Sequence, residues 1–291
     1  MRLPDIYIIG AQKSGTTTLY DWIAQHPQIF GDPLGKDFPF FSQDSLYKKG
    51  PKELAKFSKG AKSNQMVLGG DANTMFIKDA GERLYKVIPN AKLIAILRNP
   101  VDRAYSAYCH AVERLFEMRS FEQAIMEELE GCVYSSIDSM RKDYLRHGLY
   151  AQQLKSILKY YPKEQLFIII FEEWKKKPKE IMKKVFEFIE VNPNFIPVMR
   201  VKNVTKGRYR SRLVAKIIHW RTPENILGDF LKLIIPFRVR TLIRQKLAEI
   251  NRVKAQKPEF PDSIRKLLKD YYKNEIKELE EILGRKLMEW Y

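Results

Sequence analysis

Short apolar runs, each stopped by a glycine, an asparagine or a charge, alternate along the chain with segments whose apolar residues recur every three to four positions. Residues 5–9 are short, β-branched and followed by a glycine turn, the pattern of a strand buried on both faces. Met66–Gly70 reads as a second strand and ends in Asp71-Ala72-Asn73. Lys92–Leu97 (KLIAIL) is almost continuously apolar and stops at Arg98-Asn99-Pro100, and residues 166–171 (LFIIIF) make the next run. Between these runs the period is helical. Residues 17–25 place Leu19, Trp22 and Ile23 on one face before His26-Pro27, and Ala80–Val87 follows the second strand. A helix from about Val101 spaces Ala104, Tyr105 and Tyr108 for packing, and residues 178–189 are amphipathic. Residues 261–283 repeat Ile264, Leu267, Leu268, Tyr271, Ile276, Leu279 and Ile282 at helical spacing. Residues 30–52, rich in Gly, Pro, Phe and Lys, read as a loop, 52–57 as a short helix, and 120–160 as alternating helices and loops. With no internal repeat or linker, the alternation predicts an α/β fold: one domain, residues 1–291, with a central parallel β-sheet flanked by helices.

Charge narrows the partners. The 291 residues carry 52 Lys+Arg against 35 Asp+Glu, a formal charge of +17, which favours anionic ligands. Residues 200–257 hold 16 of the cations and only 3 acidic residues. Nucleic acid, a nucleotide, an acidic glycan or a membrane surface would each suit such a stretch. Cys109 and Cys132 are far apart and lack metal-type spacing, so a reduced compartment is the simpler reading. No charged-then-apolar leader precedes the first strand, and no apolar run approaches the roughly 18 residues that span a bilayer. Residues 226–237 come nearest, and Asp229, Lys232 and Pro236 interrupt them. A cytoplasmic protein without a transmembrane segment is expected.

The first strand opens into Gly10-Ala11-Gln12-Lys13-Ser14-Gly15-Thr16-Thr17-Thr18. Successive backbone N–H groups in such a turn, with the helix N-terminus behind it, can cradle a phosphate or sulfate. Ser14 and the threonines add hydroxyls, and Lys13 adds a mobile point charge. The order differs from the G-x-x-x-x-G-K-[ST] loop of nucleoside triphosphatases, because the lysine precedes the inner glycine. At the end of KLIAIL, Arg98 offers a planar fork suited to a terminal phosphate, although it could instead pair with a carboxylate such as Asp102. Lys206-Gly207-Arg208 is a third basic loop. Phosphoryl transfer would need magnesium held by a Ser/Thr after the lysine and by an acidic strand end. Asp71 ends a strand, but KLIAIL ends in arginine. A sulfuryl group carries less negative charge, and lysine with backbone dipoles can stabilise its transfer without a metal.

These motifs resemble the 3′-phosphoadenosine 5′-phosphosulfate (PAPS)-dependent sulfotransferases, most closely the heparan-sulfate and bacterial carbohydrate type. The stretch from Gly10 to Thr17 is similar to that family's 5′-phosphosulfate loop, and the stretch from Arg98 to Ser106 to its 3′-phosphate motif. Lys206-Gly207-Arg208 is similar to the late loop that closes on the same phosphate, and Lys36-Asp37-Phe38-Pro39-Phe40-Phe41 to the segment carrying the acceptor's base. Gly70-Asp71 stands where Gly-Glu is usual, and Leu283-Gly284-Arg285 to Trp290 resembles the closing tail. The resemblance implies a P-loop-like sulfotransferase fold and transfer from PAPS to a hydroxyl or amine, leaving adenosine 3′,5′-bisphosphate (PAP), with no metal required. It implies Lys13 and Asp37 as catalytic residues. Lys13, Ser14, Gly15, Thr16, Thr17, Thr18, Arg98, Ser106, Lys206, Gly207 and Arg208 would hold the donor, and Lys36 and Asp71 would face the acceptor. That acceptor would be a glycan, a lipid-linked sugar or a natural product, with no specific nucleic acid as partner.

Two positions differ from the family pattern: Asp37 is one bond, about 1.5 Å, shorter than the usual glutamate, and Ala72 replaces a lysine common in glycan-modifying members. His110, His147 and His219 are the competing bases. Tyr105, Tyr108, Tyr150 and Phe171 read as core, and Trp174 and Trp220 as core or as stacking platforms. A P-loop kinase and a basic nucleic-acid-binding protein are the alternative functions.

Overall fold

The computed structural model describes residues 1–135, 139–200, 208–211, 214, 243, 246, 247, 250–253 and 256–291. Lys206, Gly207, His219 and Trp220 lie outside the described residues, and only the backbone of Arg208 is described. The chain forms two compact units: Met1–Ser106 with Asp143–Asn203 and Asp262–Tyr291, and Ala107–Lys142 with Val204–Pro261.

The first unit is built on a five-stranded sheet in the order β2-β3-β1-β4-β5. Its strands are β1 (Ile6–Gly10), β2 (Ile29–Lys36), β3 (Met66–Gly70), β4 (Lys92–Leu97) and β5 (Leu166–Ile170). Every pairing is parallel. All of β1, and β4 from Leu93 onward, is buried, as expected of strands covered by helices on both faces. The chain leaves β1 toward one edge and β4 toward the other, so the carboxyl ends of these neighbours flank the crevice where such sheets bind ligands.

On one face, α1 (Thr16–Ile23) packs Leu19, Trp22 and Ile23 against Ile6, Ile8, Ile94 and Ile96. Trp174 from α8 (Phe171–Lys176) and Met182, Val185 and Phe186 from α9 (Pro178–Phe188) complete this core. Trp22 and Trp174 meet edge-to-face with ring centroids 4.8 Å apart, so Trp174 is core and not a stacking platform. Truncating either ring would cost about 3–5 kcal/mol. Elsewhere in the unit, α7 (Tyr150–Leu158) is tied to α10 (Asp262–Leu283) through the Glu275 carboxylate, which accepts from the Ala151 N–H.

Residues 30–36, expected in a loop, form most of β2. Pro33 and two glycines suggest a break, yet β2 is an edge strand whose register shifts between Gly31 and Lys36, where proline is tolerated. Asp32 Oδ1 accepts from the Leu34 N–H at 2.8 Å around that proline, and the Tyr20 hydroxyl donates to the Asp32 carbonyl at 2.9 Å. A Cβ at Gly31 would lie 2.8 Å from that of Ala24, so the glycine lets α1 approach. The same 30–52 stretch also contains α2 (Asp44–Tyr47); α3 (Lys52–Ala55) and the turn after it match the predicted short helix. The fifth strand ends at Ile170, and Phe171 opens α8.

The second unit takes over α5 (Pro100–Glu113) from Ala107 and holds α6 (Phe121–Leu129) and an antiparallel pair, β6 (Arg208–Tyr209) with β7 (Arg252–Val253). Ser120 caps α6 in a reciprocal capping box with Gln123. Burial works against the Glu117 charge, yet hydrogen bonds from the Arg119 side chain and backbone hold that carboxyl down at about 2. Cys109 is buried and Cys132 exposed, and the two form no disulfide. Among the described residues, no helix is long and apolar enough to cross a membrane.

Candidate active site

Beyond β1 the chain turns on itself, with the Ser14 N–H donating to the Ala11 carbonyl at 3.2 Å. Lys13 and Gly15 take left-handed backbone angles, φ 67° and 96°. A Cβ at Gly15 would also come within 3.1 Å of the Trp174 ring, so both conformation and space call for glycine. As N-cap of α1, Gly15 offers no side-chain acceptor, and the first turn contains no acidic residue. The positive end of α1 is therefore left to an incoming anion. Ser14 is fully buried beside the Tyr150 hydroxyl, Thr16 and Thr18 are buried, and Lys13 and Thr17 are half-buried.

Because β4 neighbours β1, the residue leaving β4 arrives beside this loop. Arg98 Nη1 donates to the Lys13 carbonyl at 3.3 Å, and its guanidinium lies 5.1 Å from the centre of the Phe171 ring. Its own carbonyl accepts from the Tyr150 hydroxyl at 2.9 Å. The next residue is held as well: the Asn99 N–H donates to Glu172 Oε1 at 3.0 Å, while Trp290 Nε1 donates to Glu172 Oε2 at 3.1 Å. The carboxylate alternative for Arg98 does not hold, since Asp102 pairs with Arg265 at 3.3 Å. Ser106 sits half-buried further along α5.

The acidic residues gather at the ends of β2 and β3. Lys36 is the last residue of β2 and pairs with Asp37. The Asp37 N–H donates to the Gly70 carbonyl at 2.8 Å, and its side chain is 54% exposed to solvent. Asp37 has φ 59°, a left-handed conformation that aspartate and asparagine adopt more readily than longer side chains. The backbone there favours a short acid over a longer one. Asp71 is 2% exposed, with the Ser42 hydroxyl and the Asn73 N–H as donors to its carboxylate. Burial raises its pKa to about 6; the Ser42 bond opposes the shift and the Asp37 charge adds to it. Tyr7 is pushed up by burial first and then by Asp71.

The first unit thus places Lys13, Asp37, Asp71 and Arg98 at the carboxyl ends of four adjacent strands. Of the competing bases, His147 is 2% exposed and stacked on Phe76 at 3.6 Å, and His110 belongs to the second unit. Tyr150 is core as expected, and it is also the clamp on Arg98. Glu172, Ser42 and Gln12 were not singled out from the sequence, since each acts through a partner distant in the chain.

A family model described as "Sulfotransferase domain" matches residues 3–219. Human bifunctional heparan sulfate N-deacetylase/N-sulfotransferase 3 is 30% identical over 202 residues, covering 67% of this chain and 23% of that protein. Human carbohydrate sulfotransferase 15 is 28% identical over 310 residues, covering 85% of this chain and 54% of that protein. The chain therefore spans under a quarter of the first relative and about half of the second. Among solved structures, a sulfotransferase from Alicyclobacillus acidocaldarius superposes with a TM-score of 0.72 at 23% identity, covering 100% of this chain and 99% of that one, a likeness of fold.

Proposed function

The chain belongs to the sulfotransferase domain family, and from that premise we propose that it moves a sulfuryl group from PAPS to a hydroxyl or amine of a glycan, leaving PAP. The observation that carries this reading is the meeting of Lys13 and Arg98 over an uncapped helix N-terminus, with Asp37 exposed two strands away. The arrangement fits a nucleotide with phosphate on both sides of its ribose. The loop of Ser14, Gly15, Thr16, Thr17 and Thr18 offers N–H groups and hydroxyls to the 5′-phosphate. Arg98 with Ser106, and Lys206, Gly207 and Arg208 by resemblance, would take the 3′-phosphate.

In one in-line displacement the acceptor oxygen or nitrogen bonds to sulfur as the bond from sulfur to the phosphate oxygen breaks. Lys13 neutralises the charge that grows on that leaving oxygen. The Asp37 carboxylate takes the acceptor proton, and Lys36 holds the carboxylate in place. The names of the relatives, which specify heparan sulfate and carbohydrate, support a glycan over a lipid-linked sugar or natural product.

The test is transfer of labelled sulfate from PAPS to heparan chains, neutral oligosaccharides and small phenols, with ATP and magnesium as the parallel donor. The expected outcome is label on a glycan from PAPS, unchanged by a magnesium chelator. Transfer from ATP alone, or no binding of PAP, would overturn the reading.

A further inference from the structure

The reaction above needs no buried carboxyl group, yet Asp71 is 2% exposed at the end of β3. Its two oxygens serve different loops. Oδ2 accepts from the Ser42 hydroxyl, at the far end of the segment that begins with Asp37. Oδ1 accepts from the Asn73 N–H at 3.1 Å, and Asn73 Oδ1 accepts from Gln12 Nε2, also at 3.1 Å. Gln12 immediately precedes Lys13 in the anion loop. At the near end of the first segment, the Asp37 N–H is bonded to the carbonyl of Gly70, the residue before Asp71. Residues 37–42 are thus fastened to β3 at both ends, and the carboxyl at the second fastening reaches the loop of Lys13 through one further residue.

We propose that Asp71 is a positioning residue: as a carboxylate it locks the base-bearing segment 37–42 in register with the Lys13 loop, and it does not touch the acceptor. This rests on the sulfuryl-transfer reading for its consequence in turnover, though the clasp itself is independent of it. A carboxylate can accept from both loops at once, whereas a protonated one gives up part of that capacity. The groups facing it are Tyr7 from β1, Lys36 and Asp37 from the end of β2, and the donors Ser42 and Asn73. Burial and the Asp37 charge bring its titration to about 6, so the clasp loosens within the range an assay can scan.

The experiment compares wild type, Asp71→Asn and Ser42→Ala by amide hydrogen exchange, PAP affinity and the pH dependence of kcat. Asp71→Asn should leave β1 and β4 protected and PAP affinity within about twofold. Exchange at residues 37–42 should quicken about tenfold, kcat should fall by about the same factor, and the acid limb near pH 6 should vanish. Ser42→Ala should loosen the same amides and move the acid limb upward, because the carboxylate loses a donor. Unchanged exchange at 37–42 in either folded variant, or an acid limb that persists in Asp71→Asn, would overturn the proposal. Should Asp71→Asn fail to fold, Ser42→Ala alone decides it. Should no sulfate transfer be found, the exchange data still judge the clasp, so the two readings fail separately.

Discussion

Arg98 is set by three neighbours: Tyr150 holds its carbonyl, Phe171 lies beneath its guanidinium, and the Lys13 carbonyl accepts one of its N–H groups. A side chain restrained in this way loses little freedom on meeting a phosphate. Arg98→Ala should weaken PAP binding by more than about tenfold, measured calorimetrically, while kcat at saturating donor changes little. Arg98→Lys should recover only part of the loss, because the ammonium cannot present two parallel donors. As the proposed base, Asp37 is the complementary case, in which chemistry and not binding would be at stake. Asparagine tolerates the same left-handed backbone, so Asp37→Asn should fold and bind PAP normally yet lose about a hundredfold or more in kcat. An Asp37→Asn protein with wild-type turnover would move the base elsewhere.

At the scale of elements, the clasp at Asp71 carries a stability cost with a definite sign. Its folded pKa of about 6 exceeds the ordinary 3.8, so the folded state binds the extra proton between those values. The resulting stabilisation is complete below about pH 4 and is lost as pH rises through 6. Replacing Asp71 by Asn removes that penalty, on the order of 2 to 3 kcal/mol at pH 7.5, but gives up about 1 to 2 kcal/mol in the hydrogen bonding that holds residues 37–42. The variant should therefore be slightly more stable than wild type, with a flatter melting temperature between pH 4 and 7. Thermal melts across that range check it, and an Asn variant less stable than wild type at pH 7.5 would contradict the charge penalty. The elements around this cost were unequally legible. β3, β4 and the helix Ala80–Val87 coincide with their sequence reading, because a buried strand or an amphipathic helix writes its period directly into the residues. β2 was hidden, since its Gly-Asp-Pro composition serves a bulge and a close helix contact that exist only after folding. The anion loop and Arg98 were legible as local motifs. The bond from Ser42 to Asp71 was not, because it joins residues 29 apart that share no period.

For the whole molecule, the excess of 52 basic over 35 acidic residues bears on which acceptor is used. A polyanionic glycan would be drawn by that charge and a neutral natural product would not. The KM for a sulfated or carboxylated glycan should climb several-fold between about 50 and 200 mM salt, as screening sets in, while the KM for a neutral acceptor stays flat. Equal salt responses would argue against an acidic glycan.

In the proposed reaction the loop after β1 works on the transferring group and does more than hold the nucleotide. The most direct measurement is Lys13→Ala compared with wild type for PAP affinity and kcat with PAPS. The expected result is PAP affinity within a few-fold of wild type and kcat lower by about a hundred- to a thousandfold. Near-normal turnover in Lys13→Ala would remove Lys13 from the chemistry and leave the loop as a nucleotide cradle only.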